Sequence, residues 1–147
     1  MKMKLYLAQH ARALPKEQDA ARPLSDDGRA EATRVARILE PLKLTVEQIW
    51  HSGKTRAAQT AEIYARTIIP RAGLVARDGL APNDNITLLR DELAAATGNA
   101  MIVGHMPFVA RLTSLLLTGY ESPPIVAFVN AAIVCLARSP DNRWQVE

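Results

Sequence analysis

Cysteine is almost missing from this chain, with one, Cys135, in 147 residues. A single thiol excludes an internal disulfide. Its place in the apolar run Ile133-Val134-Cys135-Leu136-Ala137 predicts a buried, inert side chain. Aromatic residues are also scarce, at 5%, too few for the stacking platforms of nucleic-acid binders. Lysines and arginines are scattered and form no basic run, so the net charge of +3 suits an anionic substrate better than DNA or RNA. The longest apolar stretch, Ile125 to Ala137, is broken by Asn130 and too short to span a bilayer. Leu5-Tyr6-Leu7-Ala8 is too short for the apolar core of a secretory signal. These absences predict a cytoplasmic domain with neither a membrane nor a nucleic-acid partner. Metal motifs are missing too. There is no H-E-x-x-H or H-x-H, and no third ligand at a suggestive spacing. The reading is therefore no metal and no cofactor.

What is present alternates between strand and helix. Residues 3–8 read as a buried strand and 11–24 as a loop broken by Pro15 and Pro23. Ser25 is a good N-cap, and Asp26-Asp27 suit the positive end of the helix that follows. Val35, Ile38, Leu39 and Leu42 recur at helical spacing as its apolar face, and Pro41 ends it. A strand over 46–51 leads through the Ser52-Gly53 turn into a helix over 54–69, stopped by Pro70. A weaker strand at 74–76, a helix over about 86–97, a strand at 100–103 and a helix from Pro107 to Thr118 complete the alternation. Residues 126–129, 133–137 and 144–146 look like late strands. The order predicts an α/β fold, with helices on both faces of a mostly parallel sheet, in one domain over 1–147.

In such sheets ligands gather at the carboxyl ends of strands. His10 stands at the end of the first strand, in Gln9-His10-Ala11-Arg12. A neutral imidazole is a good nucleophile toward phosphorus, although a histidine in that place also serves as an ordinary strand cap. His105, in Gly104-His105-Met106-Pro107, ends another strand just before a helix N-terminus, where free N–H groups favour anions. Arg56 falls near the first turn of the helix after Ser52, and its fork of donors fits phosphoryl oxygens. Ser52 is in position to cap that helix. His51 precedes it, but strand alternation points it elsewhere.

With four segments in order, the chain resembles the histidine phosphatase superfamily in its compact branch of SixA-type phosphohistidine phosphatases. Members open with a strand and R-H-G, which here is Gln9-His10-Ala11. They continue with R-P-L, a Ser/Thr cap and a glycine, here Arg22-Pro23-Leu24-Ser25-Asp26-Asp27-Gly28. Next comes S-x-x-x-R-A-x-Q-T, here Ser52 to Thr60, and a late G-H-x-P, here Gly104 to Pro107. The resemblance covers nearly the whole chain. It implies a three-layer phosphoglycerate mutase-like fold. It also implies a metal-independent phosphatase, with His10 as the nucleophile that becomes phosphorylated, Arg56 as a phosphate ligand, and His105 as the histidine that polarises the phosphoryl group.

Gln9 departs from the family arginine. Glutamine keeps a hydrogen-bond donor but loses the charge and the fork. Arg12, just past the nucleophile, and Arg22 are candidate substitutes. Asp78 occupies about the place where larger relatives carry a general acid, though the compact branch is thought to manage without one, and Asn83 is a candidate rim contact. The resemblance implies a phosphorylated protein as substrate, such as a histidine-containing phosphotransfer domain, with inorganic phosphate as product. Two rival readings remain: a phosphomonoesterase acting on a small metabolite, and, because of Gln9, a non-catalytic module that binds a phosphorylated ligand.

Overall fold

A computed structural model describes residues 3–147. Strand β1 (Met3–Gln9) leads to helix α1 (Asp26–Leu39), which ends in a single 3-10 turn at Glu40–Leu42. Short β2 (Thr45–Val46) and β3 (Gln48–His51) precede α2 (Thr55–Tyr64). Then come β4 (Ile69–Pro70), β5 (Leu74–Ala76), α3 (Thr87–Ala95), β6 (Ala100–Gly104), α4 (Phe108–Thr118), β7 (Ile133–Arg138) and β8 (Trp144–Val146).

Six strands form one sheet in the order β5-β3-β6-β1-β7-β8. The first four are mutually parallel, while β7 runs antiparallel to β1 and β8 antiparallel to β7. Side chains alternate across the strands, and this splits the core in two. Leu5, Leu7 and Ile102 face α3 and α4, against Leu89, Leu93, Phe108 and Leu112. Tyr6, Ala8, Met101 and Val103 face α1 and α2, against Ala32, Ala36, Ala57, Ala61 and Tyr64. The result is the α/β/α sandwich with a mostly parallel sheet that the strand–helix alternation predicts.

Local differences have local causes. The helix expected over 54–69 stops at Tyr64, because β-branched Thr67, Ile68 and Ile69 lead instead into β4, which pairs in parallel with β2 as a separate two-stranded sheet. No strand forms at 126–129. After Ser122-Pro123-Pro124 the chain runs irregularly to the carboxyl end of β1, burying Phe128 but leaving Val129 exposed. The expected apolar face of α1 is only half right. Val35 and Leu39 pack on the core, but Ile38 and Leu42 stay exposed. The inner face is made instead of Gly28, Ala32 and Ala36, small residues that let α1 lie close to its neighbours.

Ser25 caps α1 as expected, accepting from the Gly28 N–H at 3.0 Å. Cys135 is half-buried rather than fully buried, and burial pushes its thiol up, away from reactivity. Among the described residues no helix is long and apolar enough to cross a membrane.

Candidate active site

The carboxyl ends of the adjacent strands β3, β6 and β1 carry Ser52, His105 and His10. The strand register sets this alignment: Gln9 pairs with Gly104, and the His10 N–H donates to the Gly104 carbonyl at 3.0 Å. The two imidazole rings therefore meet with centroids 5.0 Å apart, tilted by 58°. Gly104 is needed at this junction. A Cβ there would come within 2.9 Å of Val109 Cγ1, on the helix that begins just past His105.

The backbone at His10 is tied down from three directions. Asn130 Nδ2 donates to the His10 carbonyl at 3.1 Å, and the Ala131 N–H donates to the Gln9 carbonyl at 3.1 Å. The Gln9 N–H donates to the Ala132 carbonyl. The strap that makes these bonds is itself anchored by the Tyr64 hydroxyl, which donates to the Ala131 carbonyl at 2.5 Å. From α2, Thr60 Oγ1 accepts the Ala11 N–H at 3.0 Å and donates to the Arg56 carbonyl at 2.8 Å. Gln59 Oε1 accepts the Leu24 N–H at 2.8 Å. From α1, the Arg12 carbonyl accepts from the Ser25 N–H and hydroxyl. That last contact is so close that a Cβ on Gly28 would sit 2.0 Å from the Arg12 carbonyl oxygen.

His10 Nδ1 lies 2.7 Å from the Ala11 carbonyl oxygen. A carbonyl can only accept, so the proton of neutral His10 sits on Nδ1 and its Nε2 carries the lone pair. Burial lowers the His10 pKa below its ordinary value against the pull of the Ala11 bond, and the charges of Arg56 and Arg22 lower it further. His105, only 2% exposed, is pushed down to about 3, first by burial and then by His10, Arg56, Lys54 and Arg22. Both rings are neutral at pH 7.

Three buried side-chain polar atoms lack any partner among the described residues: Gln9 Oε1, Arg56 Nε and His105 Nδ1. All three belong to this corner of the molecule. Buried polar groups are nearly always paired, so three orphans together mark a place built for a polar ligand. The same low-dielectric setting, with two guanidiniums acting on both histidines, favours an anion.

The remaining candidates divide. Arg22, in the left-handed region at φ 49°, donates from Nε to the Leu14 carbonyl at 3.1 Å, and its charge bears on His10, Arg56 and His105. The Arg12 side chain is exposed, and its carbonyl, not its guanidinium, takes part in the bonding. Asp78 lies on a separate cleft of about 280 Å³ with Arg77, Asn85, Leu88 and Glu92, and it is not among the charges that act on either histidine. Asn83 is exposed in the neighbouring loop. His51 turns away, its Nδ1 accepting from the Gly53 N–H. Ser52 does not cap α2. The N-cap is Lys54, and Ser52 Oγ lies instead 2.6 Å from His105 Nε2. Among the described residues no three His, Cys, Asp or Glu side chains gather as a metal site.

The sequence model of the histidine phosphatase superfamily (branch 1) matches residues 5–80, just over half of the chain. The chain belongs to that superfamily. The matched stretch includes His10, Arg22, Ser52 and Arg56, while His105 lies beyond it. Phosphohistidine phosphatase SixA of Escherichia coli (strain K12) is 28% identical over 152 residues, spanning 98% of this chain and 93% of that protein. A solved structure of the protein histidine phosphatase SixA complexed with tungstate superposes with a TM-score of 0.85 at 23% identity, covering 99% of this chain and 94% of that one. A phosphoglycerate mutase from Plasmodium falciparum gives 0.74 at 17% identity, with coverage of 100% and 89%. At such identities the two structures speak for a shared histidine phosphatase fold.

Proposed function

We propose that this chain is a phosphohistidine phosphatase that works through a phosphoenzyme on His10. The observation that carries the reading is the bond from His10 Nδ1 to the Ala11 carbonyl, which leaves an unprotonated Nε2 in a ring kept neutral by burial. In the first step the Nε2 lone pair attacks phosphorus while the P–N bond of the substrate phosphohistidine breaks. The leaving imidazole departs as a neutral ring when its other nitrogen is already protonated, so no strong general acid is required. Arg56, Arg22 and His105 meet the charge on the phosphoryl oxygens as fixed donors. In the second step water attacks phosphorus, the P–Nε2 bond breaks, and inorganic phosphate leaves with His10 neutral again.

The named activity of the Escherichia coli relative supports a phosphorylated protein histidine as substrate. A histidine-containing phosphotransfer domain in the cytoplasm is the partner we propose. The exposed position of Asp78, away from the charges around His10, fits a phosphoramidate better than an ester, whose alkoxide needs a proton as it leaves.

The test is hydrolysis, with EDTA present, of a phosphorylated histidine phosphotransfer domain and of an aryl phosphate, by wild type and His10→Ala. Turnover of the phosphoprotein that disappears in His10→Ala, together with a labelled, acid-labile phosphoenzyme, is expected. Faster turnover of the aryl phosphate would favour the metabolite esterase. Binding of the phosphoprotein without turnover by folded wild type would leave a phospho-ligand module.

A further inference from the structure

Ser52, on the turn between β3 and α2, bonds to the second histidine. Ser52 Oγ sits 2.6 Å from His105 Nε2, and it already receives the Lys54 N–H at 3.3 Å. With that N–H taken up by a lone pair, the hydroxyl proton is free to point at the ring. An O–H donating to Nε2 requires Nε2 to be the bare nitrogen of a neutral imidazole. The ring proton then sits on Nδ1, the nitrogen that is buried without a partner. A buried lone pair on Nδ1 would repel a phosphoryl oxygen, whereas a buried N–H there is a donor waiting for one.

We propose that Ser52 is a positioning residue that fixes the tautomer of His105, holding its proton on Nδ1 as the donor offered to the phosphoryl group. His105 is neutral across the working pH range, so the choice between its two nitrogens is a choice of tautomer, not of charge. Burial of the ring, at 2% exposure, keeps water from supplying an alternative partner that would scramble the two forms. The motif serine thus acts at a distance of one hydrogen bond from the chemistry. The use made of the Nδ1 proton rests on the phosphatase reading, but the tautomer itself does not.

The test is long-range ¹H–¹⁵N correlation of the histidine rings in the ¹⁵N-labelled full chain at pH 7, with His105 assigned by loss of its signals in His105→Asn. Wild type is expected to show His105 protonated on Nδ1 with Nε2 bare. Ser52→Ala, checked for native fold by circular dichroism, is expected to shift the tautomer ratio toward Nε2–H by roughly five- to tenfold, the scale of one net hydrogen bond. It should also lower kcat on the phosphoprotein more than it raises KM. A wild-type His105 protonated on Nε2, or a ratio that Ser52→Ala leaves alone, overturns the assignment. Nδ1–H in a protein that turns over no phosphohistidine would instead sink the phosphatase reading and leave the role of Ser52 standing.

Discussion

Gln9→Arg is the most telling single change, because it restores the charge that the family motif carries at the end of β1. The backbone there is pinned on both sides, its N–H to the Ala132 carbonyl and its carbonyl to the Ala131 N–H, so the substitution alters a side chain and not the strand. The Gln9 side chain reaches a buried position with its oxygen unpartnered. A guanidinium in its place would give a charge-assisted bond to a phosphoryl oxygen, worth about 1.5–3 kcal/mol. Repulsion from Arg56 and Arg22, whose charges already bear on neighbouring His10, opposes this. That repulsion is present with and without ligand, so it weakens the empty protein and leaves the binding gain intact. Gln9→Arg should therefore bind inorganic phosphate about 10- to 150-fold more tightly in calorimetry. Its melting temperature should fall in the absence of phosphate and recover when phosphate is added. A folded variant whose phosphate affinity equals wild type would refute the claim that Gln9 faces the phosphoryl group.

Three further outcomes are expected. Arg22→Ala should raise KM for the phosphoprotein about tenfold or more, while Arg12→Ala should change it less than twofold, because only the Arg22 charge bears on the histidines; steady-state kinetics of the two variants side by side decides this. The depressed pKa of His105 means the unfolded chain binds the extra proton first. Stability is thus complete above about pH 6.5 and declines as pH falls toward 3, by at most about 2 kcal/mol at pH 5 and less where water screens the ring; denaturant titrations should show His105→Gln with a flatter profile over pH 7 to 5. Gly28→Ala should cost about 3 kcal/mol, lowering the melting temperature by roughly 10 °C, since its Cβ would overlap the Arg12 carbonyl; a variant that melts within 2 °C of wild type contradicts that packing.

The elements that position the site were legible because their signals are local. Short apolar runs ended in turns at His10, Ser52 and His105, and the alternation of strand with helix predicted a mostly parallel sheet with helices on both faces. The tethers around His10 were not legible, because Asn130 meets His10, Thr60 meets Ala11 and Tyr64 meets Ala131 only through tertiary structure, across sequence separations of up to 120 residues. Asn130 did leave a trace as the polar break in the longest apolar stretch. Choosing between Arg12 and Arg22 needed the tertiary placement of their charges, since Arg22 acts on both histidines while the Arg12 side chain is exposed, and no periodicity carries that. Ser52 illustrates the opposite failure. Its place before a helix fits a cap by every local rule, yet the partner it takes is His105, brought alongside by the pairing of β3 with β6.

The strap from Asn130 to Ala132 has a temporal meaning. The groups that hold the His10 carbonyl and its neighbour in place are synthesised about 120 positions after it. At about 5–20 residues per second that interval is roughly 6–24 s. Throughout it the nascent chain carries a histidine, an arginine and a serine that have no common frame. The frame that holds His10 is therefore complete only once β7 docks against β1, and a chain released before residue 130 would lack it.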